Sequence, residues 1–171
     1  MTELYVIYGD TCTLEGNSSD PKEVEVLRKL RTDPCLKWVT SNIVNYEAIN
    51  TPDEAKRNAL LADHKTREKV AKDEKLRGFN SYGDARGWIC YPLLSDVQDE
   101  DLHAELMKQG IRLVDAKHLT QAACNKCDVF LTCDNQIIRR REWLENRLPD
   151  LKILRPSELL KHLSIASHLF C

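Results

Sequence analysis

Short apolar runs alternate with amphipathic stretches along this chain. The first run, "LYVIY" (Leu4–Tyr8), is aromatic and β-branched and stops at Gly9–Asp10, which predicts a buried strand with an acid at its exit. In "NSSDPKEVEVLRKL", Asp20 predicts an N-cap, Pro21 the first helical position and Glu23 the answering acid of a capping box, with Val24, Leu27 and Leu30 as the apolar stripe. Leu36–Val39 predict a second strand. Thr40 or Ser41 then caps a short helix carrying Ile43, Val44 and Glu47, and Glu47, one turn beyond Ile43, shares roughly its core-facing side. "TPDEAKRNALLADHKTREKVAKDEKL" opens with Thr51 as cap, then Pro52 and Glu54, and predicts one long helix or two stacked ones ending near Arg77–Gly78.

The second half begins with "GFNSYGDARGWICYPLL", whose glycines and interleaved aromatics predict an irregular connector. "SDVQDEDLHAELMKQG" predicts a helix with Ser95 as cap, Leu102 and Leu106 inward and Gly110 at its end. "IRLV" predicts a short strand, and Asp115 the start of the next helix, where its carboxylate favours the N-terminal dipole. "DVFLT" is a strongly apolar strand that exits at Cys133–Asp134. "NQIIRRREWLENRL" reads as an amphipathic helix, "LKIL" as a strand, and Pro156 as the start of a last helix. No internal repeat or low-complexity tract interrupts this order.

Strands alternating with helices predict an α/β fold with a mainly parallel sheet, in which ligands collect beyond the carboxyl ends of the strands. Asp10 and Asp134 each follow an apolar strand at that end, Asp115 follows another, and Glu47 sits on an early helix within reach of the same edge. Composition narrows the picture. The 171 residues fit one domain. The chain has 25 Lys and Arg against 27 Asp and Glu, so no overall basic field draws it to nucleic acid or to an anionic membrane, and any polyanion site must be local. No apolar run is long enough to span a bilayer and no signal-peptide pattern opens the chain, which predicts a cytoplasmic protein with no membrane partner. Seven scattered cysteines then read as reduced thiols, several of them packing residues.

Four carboxylates converging on one sheet edge would repel one another and raise some pKa values unless cations neutralise them. Hard divalent ions such as Mg²⁺ or Mn²⁺ prefer oxygen ligands, and one or two of them can activate water for in-line phosphoryl displacement. The competing zinc reading would use His118, Cys124, Cys127 and Cys133, the right number and types of ligand. A strand of about five residues at roughly 3.3 Å per residue holds Cys127 and Cys133 too far apart for one ion. Single acids at strand ends also act as plain helix caps, and "IRRREW" reads first as a solvated basic helix face.

Tyr8-Gly9-Asp10-Thr11-Cys12, Thr40 to Glu47, Asp115-Ala116-Lys117-His118-Leu119, Phe130 to Asp134 and Ile153-Leu154-Arg155-Pro156-Ser157, taken as an ordered set, resemble the PIN domain. The order is similar to that of VapC-type toxins and related bacterial PIN proteins. The resemblance is firmest over residues 114–160, extends over 4–47, and is missing from about 61 to 97, where it implies a helical and loop insertion. It implies a three-layer α/β/α sandwich and a metal-dependent ribonuclease whose acidic quartet is Asp10, Glu47, Asp115 and Asp134. By that resemblance Asp10 and Asp134 lie nearest a first Mg²⁺ or Mn²⁺, Asp115 completes its shell, and Glu47 holds a second ion or orients a water as general base. Thr11 and Thr132 offer hydroxyls beside them, and His118 packs its helix. The products would carry a 5′-phosphate and a 3′-hydroxyl. The partners it implies are an RNA substrate, an antitoxin protein if the chain is a toxin, and a second copy in a homodimer. Cys12 and Asn135 stand where many members carry Asn or Ser and a further acid, so the alternative is a non-catalytic binding module that keeps the fold. A receiver-type regulator would need paired acids on the first strand and a late lysine after a strand, which this sequence lacks.

Overall fold

The computed structural model describes residues 5–14, 17, 20–70, 76–77, 94–95 and 99–169. Five strands, β1 (Tyr5–Gly9), β2 (Leu36–Thr40), β3 (Glu68–Lys69), β6 (Val129–Leu131) and β7 (Lys152–Leu154), form one sheet in the order β3-β2-β1-β6-β7. Every pairing in it is parallel. The short strands β4 (Leu76–Arg77) and β5 (Leu94–Ser95) pair antiparallel in a separate two-stranded sheet. The chain builds outward from β1 to β2 and β3, then returns to β6 and β7 on the other side. The crevice between β1 and β6 is therefore the topological switch point, where open α/β sheets bind their ligands.

Alternation along the strands assigns the two faces. Ile7, Leu36, Val129 and Leu131 turn one way, into a cluster with Leu27 and Leu30 of α1 (Pro21–Arg31) and Leu159 of α8 (Pro156–Leu169). Tyr8, Val39, Phe130 and Ile153 turn the other way. They meet Leu102 and Leu106 of α4 (Glu100–Lys108), Ala116, Leu119 and Ala122 of α5 (Leu113–Cys124), Ile137 of α6 (Asn135–Ile138) and Leu144 of α7 (Arg141–Arg147). On this basis the protein is a three-layer α/β/α sandwich around a parallel sheet. A smaller cluster joins Leu14 to Val44 and Ala48 of α2 (Asn42–Ile49) and Leu60 of α3 (Glu54–Thr66). Among the described residues, no helix is long and apolar enough to cross a membrane.

Several local expectations change. "IRLV" is not a strand: Ile111 is buried but Leu113 is 51 % exposed, so the run lacks a strand's alternation, and α5 begins at Leu113 with Asp115 inside its first turn. The long helix after Thr51 is capped by Asp53 and stops at Thr66, where the chain turns into β3 beside β2. Asp99, not Ser95, caps α4, and Gly110 closes that helix at φ +76°. The basic stretch after Asp134 breaks into α6 and α7 where Arg140 donates from Nε to Gln109 O at 3.3 Å and from Nη1 to Gln136 O at 3.2 Å. Arg141 is not a free basic group on the surface, because its guanidinium grips Glu158 at 3.1 and 2.6 Å. Within the expected insertion, residues 61–70, 76–77 and 94–95 are described; the connector 78–93 and the remainder lie outside the described residues.

Candidate functional site

Gly9, the last residue of β1, leaves no room for a side chain: a Cβ there would collide with the Thr13 hydroxyl and stand 2.8 Å from Arg67 Nη1. Asp10 follows, its N–H bonded to Leu131 O at 3.3 Å, so its backbone is pinned across the switch point. Its carboxylate caps the 3-10 turn Thr11–Thr13, accepting the Cys12 N–H at 3.0 Å and the Cys12 thiol at 2.7 Å. Burial raises the pKa of Asp10; the bonds from Cys12 and Thr132 and the His118 charge pull it back, and Glu47 adds to the rise.

Asp134 reaches the same edge from β6. It caps α6, accepting the Gln136 N–H at 2.6 Å, while its own N–H donates to Thr132 Oγ1 at 3.0 Å. Between them, Cys133 N donates to Cys12 Sγ at 2.7 Å, a second tie between the two loops. Asp115 sits in the first turn of α5, and its carboxylate makes no hydrogen bond among the described residues. Its carboxyl is pushed up to about 6, first by burial and then by Asp134, with Glu47 and Asp10 adding to the rise and His118 opposing it. The four acids singled out in the sequence therefore share one electrostatic neighbourhood.

Glu47 is placed by α2, whose N-cap Ser41 accepts the Ile43 N–H at 3.3 Å. Its Oε2 accepts from the Thr11 hydroxyl and from His118 Nε2, the latter at 2.7 Å. Burial works against the ionised form of Glu47, but the His118 bond and charge and the Thr11 bond outweigh it and hold the carboxyl below its usual range. His118 is 2 % exposed, and burial alone would lower its pKa; Glu47 first, then Asp10 and Asp115, raise it instead. The other ring nitrogen, Nδ1, lies 2.8 Å from the Tyr8 hydroxyl, which lies 2.6 Å from Ser41 Oγ. A doubly protonated ring fits both contacts: Nε2–H donates to Glu47, Nδ1–H to the Tyr8 oxygen, and Tyr8 passes its own O–H to Ser41.

His118 is thus more than the packing residue expected from the sequence; it is the partner of Glu47. The available signal was its spacing, three residues after Asp115 and so on a neighbouring position of the helix. The thiol bond from Cys12 to Asp10 was not legible. The set His118, Cys124, Cys127 and Cys133 is not assembled: His118 faces Glu47 and Tyr8, Cys127 is buried in the core, and Cys133 lies beyond the opposite end of β6.

The donor chemistry of the acidic edge suits a hard divalent cation, since its carboxylates offer only oxygen and repel one another when ionised. Among the described residues no three His, Cys, Asp or Glu side chains form a ready metal-holding group. No family model, curated protein or solved structure matches this chain.

Proposed function

We propose that this chain is a PIN-type, divalent-metal-dependent endoribonuclease that hydrolyses RNA phosphodiester bonds at its acidic edge. One observation carries the reading: Asp10, Glu47 and Asp134 stand close enough to Asp115 at the switch-point crevice that, together with burial, they push its carboxyl up to about 6. A structural role explains isolated helix caps, yet it gives no reason to gather four acids where their charges oppose one another.

In this reading Asp10, Asp115 and Asp134 are the residues that would hold Mg²⁺ or Mn²⁺. The ion, when bound, would lower the pKa of a water and neutralise charge building on the scissile phosphate. The chain supplies the orientation. Glu47, kept ionised by His118 and Thr11, accepts a hydrogen bond from the attacking water and takes its proton as oxygen bonds to phosphorus. The bond to the 3′-oxygen breaks and that oxygen takes a proton from solvent water, leaving a 3′-hydroxyl and a 5′-phosphate. His118 is a positioning residue, fixed from behind by Tyr8.

The test is cleavage of a labelled RNA by the purified chain with Mn²⁺, with EDTA, and by an Asp10→Asn variant. Cleavage that requires Mn²⁺ and falls to background in the variant supports the reading. No cleavage, or equal cleavage by Asp10→Asn, ends it, and absence of calorimetric Mn²⁺ binding then favours a non-catalytic module.

A further inference from the structure

The crevice holds a second space beside the acids. A cavity of about 720 Å³ is lined by Asn17, Asp20, Glu23, Asp134, Asn135 and Arg155, together with the two cysteines of the switch point. Its size falls within the roughly 300–1,000 Å³ typical of small-ligand sites. Asp134 belongs both to its wall and to the acidic edge, so the two spaces adjoin. Among the described residues no aromatic lines it; the walls are amide, carboxylate, guanidinium and thiol, which suits a hydroxylated, charged ligand.

Within that wall the charges are unequal in availability. Glu23 is engaged, accepting the Ser157 N–H at 2.9 Å and the Ser157 hydroxyl at 2.7 Å. Asp20 and Asp134 each accept a helix N-terminal amide, from Lys22 at 2.9 Å and Gln136 at 2.6 Å, which partly offsets their charge. Among the described residues that line it, Arg155 is the cation. Its backbone N–H donates to Glu158 at 2.8 Å and its Nη2 to Asn135 Oδ1, so the guanidinium is anchored at the wall with further N–H groups in hand. Such a fork is the group best suited to bidentate contact with a phosphate.

We propose that this cavity is a ribonucleotide subsite, in which Arg155 holds a phosphate and the wall of Asn17, Asp20 and Asn135 takes ribose hydroxyls. Carboxylates and amides accept and donate to sugar hydroxyls as the acid of a dinucleotide fold does. As the place where RNA flanking the scissile bond lies, the subsite rests on the nuclease reading. Binding of a mononucleotide needs neither the ion nor cleavage.

The experiment is an NMR titration of the full chain in EDTA with uridine 5′-monophosphate, its 2′-deoxy counterpart and inorganic phosphate. The ribonucleotide should shift amides around Asn17, Asn135 and Arg155 and bind several-fold more tightly than the other two. Arg155→Ala should weaken it about tenfold, with Arg155→Lys intermediate and both spectra otherwise native. No binding at millimolar nucleotide, equal binding of ribo and deoxy forms, or binding that Arg155→Ala leaves unchanged overturns the subsite. The two failures separate: nucleotide binding without Mn²⁺-dependent cleavage removes the nuclease and keeps the subsite, whereas cleavage with KM unchanged in Arg155→Ala and no nucleotide binding removes the subsite alone.

Discussion

Glu23 and Glu47 occupy comparable places on opposite faces of the sheet, each on an early helix and each bonded to a distant segment, yet their partners differ in kind. Glu23 meets neutral donors, the N–H and O–H of Ser157, in the first turn of α8. Those amides would otherwise be orphans of the helix start, and Glu158 covers another by accepting the Arg155 N–H. The bond replaces the expected capping box within α1 and clasps α1 to α8. Glu47 meets a titratable partner, His118, and stays 30 % exposed at the acidic edge. A carboxylate bound to backbone is a fastener. One bound to an ionisable ring, with an oxygen left toward solvent, can exchange protons.

That contrast sets the largest expected effect on stability. Glu23→Ala strands a helix-start amide and a hydroxyl in a half-buried setting and should cost about 2 kcal/mol. Glu47→Ala should cost nearer 1 kcal/mol, because His118 can shed its proton once the carboxylate is gone and the remaining acids repel less. Urea unfolding with matched slopes reads both. A Glu47→Ala loss as large as that of Glu23→Ala would erase the distinction.

Asp115 sharpens it with pH. Its carboxyl is raised from 3.8 to about 6, so the folded chain holds more protons than the unfolded chain between those values and stability falls as pH rises through them. Asp115→Asn should remove that fall and, after screening at this partly open site, stabilise the protein at pH 7 by about 1–2 kcal/mol. The unfolding midpoint followed from pH 4 to 7.5 decides it. An unchanged slope would mean that Asp115 does not share the field of the other acids.

How far this was legible depends on range. The α/β alternation and the exits at Asp10 and Asp134 follow from short apolar runs closed by polar residues, which is local information. The Asp20–Pro21 start of α1 is local in the same way. The "IRLV" run failed as a strand because four residues with an arginine among them do not define a period, and Ile111 alone turned inward. Asp115 still reached the edge, carried by a helix instead of a strand exit. His118 could not be assigned from local pattern at all, since its partners stand 71 and 110 residues away at Glu47 and Tyr8. Only the packing of α2, β1 and α5 brings them together. Glu23 failed for the same reason: its partner lies 134 residues on, at Ser157.

The smallest effect tests the ring's other contact. Tyr8→Phe keeps the stacking on Phe130, whose ring centroid lies 5.7 Å away, and removes only the hydroxyl between His118 and Ser41. The loss should be about 1 kcal/mol. It should also carry a sign that a plain core defect lacks. The raised pKa of His118 means that its pairing stabilises the fold fully below the ordinary 6.5 and fades as pH rises through the raised folded value. Without the Tyr8 oxygen to accept from Nδ1–H, the charged ring is less favoured and that fading begins at lower pH. The His118 ring resonance, followed by NMR against pH, should move its midpoint down in Tyr8→Phe while hydrogen exchange at the Ser157 amide stays as in the parent. A midpoint that does not move would show that Glu47 alone sets the ring's charge, and a faster Ser157 amide would show that the two glutamates' faces are not independent.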